Sequence, residues 1–369
     1  MNAIEPIPST MRAALLIGRG GPEMLQVRDD VPVPVPEPGQ ALLKVAACGM
    51  NNTDINTRVG WYSRNVDVGT TGQELDEVDA EDATWGRRSL TFPRIQGADP
   101  SGTIVAVGDG VDDGLLGRRV LVDGWIRDPA NPSDRDLAGY LGSEIDGGYA
   151  EYCVVPAVNV HPHSSDLPDA TLAALPCSWS TAEHMLQRVR LSDGQTAVIT
   201  GAAGGVGSAL VALAKLRGAR VVAICGAAKR DRVAALGADA VLARDAGEIP
   251  AAAAEAAGGP IDVVADVVGG PDVAGWFEAL RRGGRYVTAG AIAGPIVPLD
   301  LRTLYLNDLE LYGATIYEPG VFADLIGYLD RGEITPVVDA VYPLADIAAA
   351  QAAFERKHHV GAIVVDLHP

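Results

Sequence analysis

From Met11 the chain reads as short apolar runs separated by turn residues, at 13–17 and 41–45, with further runs at 103–107, 119–122 and 149–155. Runs of this length, with Gly and Pro between them, predict a β-rich first lobe. Pro32, Pro34, Pro36 and Pro38 alternate in VPVPVPEPG, which disfavours helix and sheet interior and fits an extended surface connection. After about residue 171 the period changes. Strands at 196–200, 220–224, 240–242, 261–267 and 286–289 alternate with helices at 206–216, 229–236, 251–257 and 273–280. Strict alternation of this kind implies parallel crossover units in a doubly wound α/β sheet. Helices near 321–329 and 345–354 and a final strand at 361–367 are expected to return to the first lobe.

Between 63 and 94 lies a polar, acidic, Gly-rich segment without apolar periodicity, too long for an ordinary connection. It reads as a lid or as a loose insertion whose end Trp85 and Phe92 pin to the core. Apolar residues make up 48% of the 369, charged residues 21% and aromatics 5%, a globular rather than disordered composition. A length of this size suggests about two domains. The net charge of −19 argues against nucleic acid or anionic lipid as partners. Cys48, Cys153, Cys177 and Cys225 form no C-x-x-C pair, so neither a disulfide framework nor a zinc knuckle is expected. No secretory leader pattern opens the chain and no stretch reaches about 18 apolar residues, which predicts a cytoplasmic protein.

The segment TAVITGAAGGVGSALVALAK, residues 196–215, places a glycine-rich turn between an apolar strand and an amphipathic helix, the context that a dinucleotide fingerprint requires. Gly204 lets backbone approach a pyrophosphate, Gly207 permits close packing of helix on strand, and the N–H groups of Gly205, Val206 and Gly207 point at the anion. Ala202 stands where the first glycine of G-x-G-x-x-G would be, and Ala203 completes the turn. About 20 residues on, where NAD enzymes place an acidic residue for the ribose 2′-OH, this chain has Cys225-Gly226-Ala227-Ala228-Lys229-Arg230. The missing carboxylate and the two cations favour NADPH. The alternative is that Lys229 and Arg230 only solvate a helix face.

The stretches MRAALL (11–16), CGMNNTDINTRVGWY (48–62), QGADPSGTIVAVGDGV (96–111), GGYAEY (147–152), STAEHML (180–186), the GAAGGVG turn, RVAALGAD (232–239), LRRGGRYVTAG (280–290) and LYGAT (311–315) together resemble the medium-chain dehydrogenase/reductase superfamily, within it the zinc-free quinone oxidoreductase group. The resemblance implies a GroES-like catalytic domain of residues 1–177 and 316–369 and a Rossmann dinucleotide-binding domain of residues 178–315. In the zinc-dependent relatives two thiolates and an imidazole bind the catalytic metal; the matching positions here are Asn51, Ala98 and Cys177. Zinc needs about three protein ligands in such a site, so no metal is expected. Residues 125–146 also lack the cysteines of a structural zinc lobe.

The resemblance places Asn51 near the nicotinamide, where its amide would orient a substrate carbonyl, and Tyr62 near the substrate, as a proton donor alternative to water. Thr181, taken to stand at the start of the helix that leads into the second domain, is expected to touch the nicotinamide, and Val268 and Gly290 complete the cofactor contacts. Asp54 is expected to hold its loop through side-chain to backbone bonds, and Tyr149 to pack the first lobe. Thr53 falls where zinc enzymes use a hydroxyl for proton relay. His161 and His163 are expected on a loop, His358 and His359 in solvent, and Glu183 and His184 on a helix surface; the sequence does not place Tyr317. The expected chemistry is metal-free hydride transfer from NADPH to a quinone or an α,β-unsaturated carbonyl, with a small-molecule substrate and a homodimer built on residues 309–315. The alternatives are reduction of a simple aldehyde or ketone, and an NADPH-binding regulatory protein with little turnover.

Overall fold

The computed structural model describes residues 2–4, 6–70, 75, 78–79, 81–86 and 89–368, and the chain divides into two compact units. The first comprises 1–66, 75–177 and 318–369, the second 67–74 and 178–317. Among the described residues no helix is long and apolar enough to cross a membrane.

In the first unit the strand Gln40–Gly49 is central. It pairs antiparallel with Asp99–Val107, with Tyr152–Pro156 and with Ala362–Asp366, so the C-terminal strand closes onto the N-terminal lobe. Val338–Pro343, which the sequence reading passed over, pairs parallel with Ala362–Asp366. The expected strand at 149–155 begins only at Tyr152. Before it, the Tyr149 N–H donates to the Gln96 carbonyl and the Tyr149 carbonyl accepts from Ala14. A core of Met11, Leu16, Leu42, Leu43, Ile104, Val122 and Ile363 fills this unit.

Gly49 ends its strand where Asn51 caps the helix Asn52–Val59, whose sequence NTDINTRV carries no apolar stripe. The helix forms because the Asp54 carboxylate accepts the Asn51 N–H at 2.8 Å, half of a capping box, and it ends at Gly60 with φ +83°. Arg58 holds it in place. Its fully buried guanidinium donates to Gln351 Oε1 at 2.8 Å, Glu355 Oε1 at 2.9 Å and the Gly20 carbonyl at 2.5 Å. Glu355 is partly exposed, so the bonds to Gln351 and Gly20 are the ones that leave the buried guanidinium unpaired if lost.

The described part of the insertion is not loose. Asp79 N–H donates to Ser63 Oγ at 3.1 Å, Ala83 and Thr84 are buried, and the Trp85 ring lies 4.6 Å from Trp125 and 6.1 Å from Tyr140. Residues 71–74, 76–77, 80 and 87–88 of the insertion lie outside the described residues.

The second unit is a six-stranded parallel sheet in the order Ala240–Ala243, Arg220–Cys225, Thr196–Ile199, Ile261–Asp266, Leu280–Thr288, Glu310–Gly313. This is the doubly wound order in which the sequence order of the parallel strands reverses beside the first strand, opening a crevice at the strand C-termini. Its strands are near-continuous apolar runs because both faces are covered. Val198, Ile224, Ile249, Val264, Trp276, Phe277 and Tyr286 pack one core cluster. The expected helix at 229–236 is shorter, a 3-10 turn Ala227–Lys229 leading into Arg230–Ala234. Among the described residues Glu310–Gly313 pairs only with Leu280–Thr288 and forms the sheet edge.

Candidate active site

In the second unit the turn after Thr196–Ile199 enters the twelve-residue helix Gly205–Leu216, capped by Gly204 in extended conformation with no side-chain cap. The first-turn N–H groups therefore have no intrahelical partner and present an anion site. The glycines of the turn are not equivalent. A Cβ at Gly207 would stand 2.1 Å from the Gly201 carbonyl oxygen and 2.6 Å from Ala202 Cα, so the helix and the turn that precedes it leave no room for one. A Cβ at Gly204 would meet nothing closer than 3.6 Å, and one at Gly226 nothing closer than 3.7 Å. Those two positions are open within the fold, as an approaching ligand requires. Ser178 Oγ would lie 2.4 Å from a Cβ at Gly205, so the helix Pro176–Arg188 packs on the turn. Thr181 lies one turn beyond Ser178, mid-helix rather than at its start, and is half-buried.

At the end of the second strand, burial raises the Cys225 thiol pKa while Lys229 and Arg230 lower it, which places both cations beside the strand terminus. The Arg244 N–H donates to the Cys225 carbonyl at 2.8 Å, bringing an exposed third cation to the same edge. Sequence reading missed Arg244 because it follows the third strand and lies outside the fingerprint.

Missed too was Asp266, fully buried at the end of Ile261–Asp266. It accepts from the Thr200 and Tyr286 hydroxyls, the latter at 2.5 Å, from Val268 N–H at 2.8 Å and from Gly269 N–H at 3.1 Å. Val268 and Gly290 belong to the loops around this carboxylate: Val268 accepts from Ala293 N–H, and the Thr288 hydroxyl donates to the Gly290 carbonyl. The available signal was an acid closing an apolar strand just before two glycines.

In the first unit Asn51, Asp54, Asp99 and Tyr149 form a buried polar cluster. Asp99 faces Gly49 across the strand pair. Its Oδ1 accepts the Cys177 N–H at 3.0 Å. Burial pushes its carboxyl well above the usual range, opposed by a hydrogen bond with Asn51 and reinforced by the charge of Asp54. Asp54 is raised by burial to about 6, against hydrogen bonds from Asn51 N–H and from Tyr149, whose hydroxyl donates at 2.9 Å. Asp54 thus holds the loop through the Asn51 backbone, and Tyr149 packs within the lobe. Burial also raises the Tyr62 hydroxyl, against hydrogen bonds with Thr53 and Asn56. Among the described residues no three His, Cys, Asp or Glu side chains converge as a metal ion requires.

Several histidine and helix-surface expectations fail. Val160–Pro162 is a strand paired with Arg119–Val122, so His161 is not in a loop, while His163 follows on a loop as expected and is buried. His359 is buried and stacks on Phe354 at 4.9 Å. Glu183 is fully buried, paired with Arg217 at 2.5 Å. His184 is buried with its ring 6.2 Å from Tyr317, itself buried. Glu183, His184 and His359 each meet a partner distant in sequence or across a turn that local sequence does not reveal, whereas His163 is buried with neither ring nitrogen hydrogen-bonded among the described residues.

Residues 37–169 match the family described as alcohol dehydrogenase GroES-like domain, and residues 205–331 the one described as zinc-binding dehydrogenase. A crystal structure of a Sinorhizobium meliloti 1021 protein, provisionally described as an alcohol dehydrogenase, has a TM-score of 0.89 and 47% identity over 98% of this chain and 97% of that one. This chain belongs to the medium-chain dehydrogenase/reductase superfamily. As a superfamily member it is an oxidoreductase that joins a GroES-like domain to a Rossmann-like parallel sheet. Rat quinone oxidoreductase is 28% identical over 95% of both chains. A chloroplastic NADPH-dependent alkenal/one oxidoreductase of Arabidopsis thaliana is 28% identical over 99% of this chain and 82% of its own.

The raised Asp54 carboxyl has a consequence for stability. The folded chain holds this proton up to about pH 6, whereas the unfolded chain releases it in the ordinary carboxylate range. The group's stabilising contribution is full below that range and is lost as pH rises through about 6. Asp54→Asn should therefore gain stability relative to the parent between about pH 4 and pH 7, by about 3 kcal/mol. Urea unfolding at the two pH values measures this; parallel pH dependence in both proteins contradicts it.

Proposed function

We propose that this chain is a zinc-independent, NADPH-dependent oxidoreductase acting on a quinone or on the β-carbon of an α,β-unsaturated carbonyl. The observation that carries the reading is the end of the Arg220–Cys225 strand, where Gly226 replaces a carboxylate and Lys229, Arg230 and Arg244 gather. Cations at this edge complement the negative charge of a ribose 2′-phosphate, and no acid at Gly226 repels it. The open backbone at Gly204 and the capless helix start after it suit the pyrophosphate. When bound, NADPH supplies a hydride, and the protein's part is placement and polarisation.

In this reading the Asn51 amide donates to the acceptor carbonyl oxygen, its conformation set by the bond with Asp99. Tyr62, kept protonated by burial and held by Thr53 and Asn56, donates the proton. Of the three positions that bind catalytic zinc in metal-dependent relatives, only Cys177 keeps a ligand side chain, and one thiolate is too few. A conjugated acceptor spreads the incoming charge and needs hydrogen bonds rather than a strong Lewis acid. The names of the rat and Arabidopsis relatives support this acceptor class.

The reading predicts oxidation of NADPH, followed by its absorbance, with a quinone or an enone as acceptor. Turnover should favour NADPH over NADH by more than about tenfold and survive dialysis against a chelator. Preference for NADH, loss of turnover on chelation, or activity confined to simple aldehydes contradicts it. Binding of NADPH without turnover on any acceptor selects the regulatory alternative.

We also propose a homodimer through the Glu310–Gly313 edge. An unpaired strand edge invites a second strand, and Leu301, Tyr305 and Leu306 are exposed on the helix Leu301–Leu306 that leads into it. A second copy covers both by two-fold pairing. Light scattering should give twice the chain mass, and Leu306→Asp should shift it toward monomer; a parent monomer at micromolar concentration rejects the proposal.

A further inference from the structure

A fully buried carboxylate is costly unless fully hydrogen-bonded, and packing alone gives no reason to keep one at a strand end. Asp266 is nevertheless there, and its donors come from three separate places. Thr200 lies at the end of the first strand and directly precedes the cofactor turn, Tyr286 lies on Leu280–Thr288, and Val268 and Gly269 form the loop after its own strand. Thr200 Oγ1 also accepts the Val267 N–H at 3.1 Å, so the hydroxyl ties the carboxylate to the backbone on both sides. Around this hub two loops are stitched together. Ala289 N–H donates to the Asp266 carbonyl at 3.3 Å, Ala293 N–H to that of Val268 at 2.8 Å, and Gly270 N–H to that of Gly294 at 3.1 Å. The fit is close. Gly269 and Gly270 have φ +64° and +74°, and a Cβ on either would stand 2.9 Å or less from Gly294 O or Ala293 Cβ. At Thr70 the start of the 63–94 insertion joins the same loop, donating to the Ile292 carbonyl at 3.0 Å.

We propose that Asp266 is a positioning residue for the nicotinamide end of the cofactor site. It holds the loops that carry Val268 and Gly290 in one arrangement through hydroxyl donors that can each be removed singly. The inference rests on the reading that NADPH binds at this edge of the sheet. Asp266 acts through the loops and not on the adenosine end, which lies at the far side of the first strand by the order of the sheet. Loss of one donor should therefore loosen the nicotinamide end alone.

The test compares two probes on the full-length protein by calorimetry: NADPH, and adenosine 2′,5′-bisphosphate, which carries only the adenosine end. Tyr286→Phe should weaken NADPH by about tenfold, the worth of one buried hydrogen bond, and leave the bisphosphate within about twofold. Thr200→Val removes a second donor to the same carboxylate and should repeat the selective loss; Thr200→Ser keeps the hydroxyl and should restore NADPH binding. Parallel weakening of both probes, or no change in either for folded variants, overturns the positioning role. Failure of the parent protein to bind the bisphosphate overturns the cofactor reading instead.

Discussion

A methyl group at Gly207 would sit 2.1 Å from the carbonyl oxygen of Gly201, well inside van der Waals contact, and the arrangement of the second unit follows from that approach. With the helix Gly205–Leu216 pressed against the turn that follows its strand, the helix starts directly beyond the strand C-terminus, where its first-turn N–H groups lack intrahelical partners. The same closeness admits the helix Pro176–Arg188, whose Ser178 contacts Gly205 and whose next turn carries Thr181. Sheet order, loop placement at Asp266 and the cations after the second strand then build outward from one tight turn.

The first unit solves a different problem. Where a metal-dependent relative gathers ligands, this chain gathers Asn51, Asp54, Asp99 and Tyr149, and burial raises the pKa of all three that titrate, Asp54 to about 6 and Asp99 and Tyr149 well above their usual range. Such a cluster is stable only when each polar atom finds a partner. The backbone of Asn51 and Cys177 and the Tyr149 hydroxyl supply several of them. The buried arginine at position 58 fixes the short helix that Asn51 caps and that carries Asp54, so a charged side chain does the anchoring that an apolar stripe does elsewhere.

Period and punctuation made the parallel sheet readable, because strands covered on both faces are apolar throughout and their helices begin at glycine turns. The GAAGGVG turn was legible for the same reason. The helix Asn52–Val59 was not, since its stability comes from a cap and from contacts with residues some 300 positions away rather than from its own pattern. Asp266 and Arg244 escaped notice because each acts at the end of a strand next to residues distant in sequence. His359 and Glu183 were misplaced outward because polarity predicts exposure only when no buried partner exists.

The glycines of the turn allow the central claim to be tested with two single methyl groups. Gly204→Ala and Gly207→Ala are compared for thermal unfolding and for NADPH binding by fluorescence titration. If a phosphorylated dinucleotide docks on the turn, Gly204→Ala keeps the parent melting temperature but loses NADPH affinity, while Gly207→Ala is destabilised whether or not cofactor is present. Retention of full NADPH affinity by a stably folded Gly204→Ala variant contradicts the account.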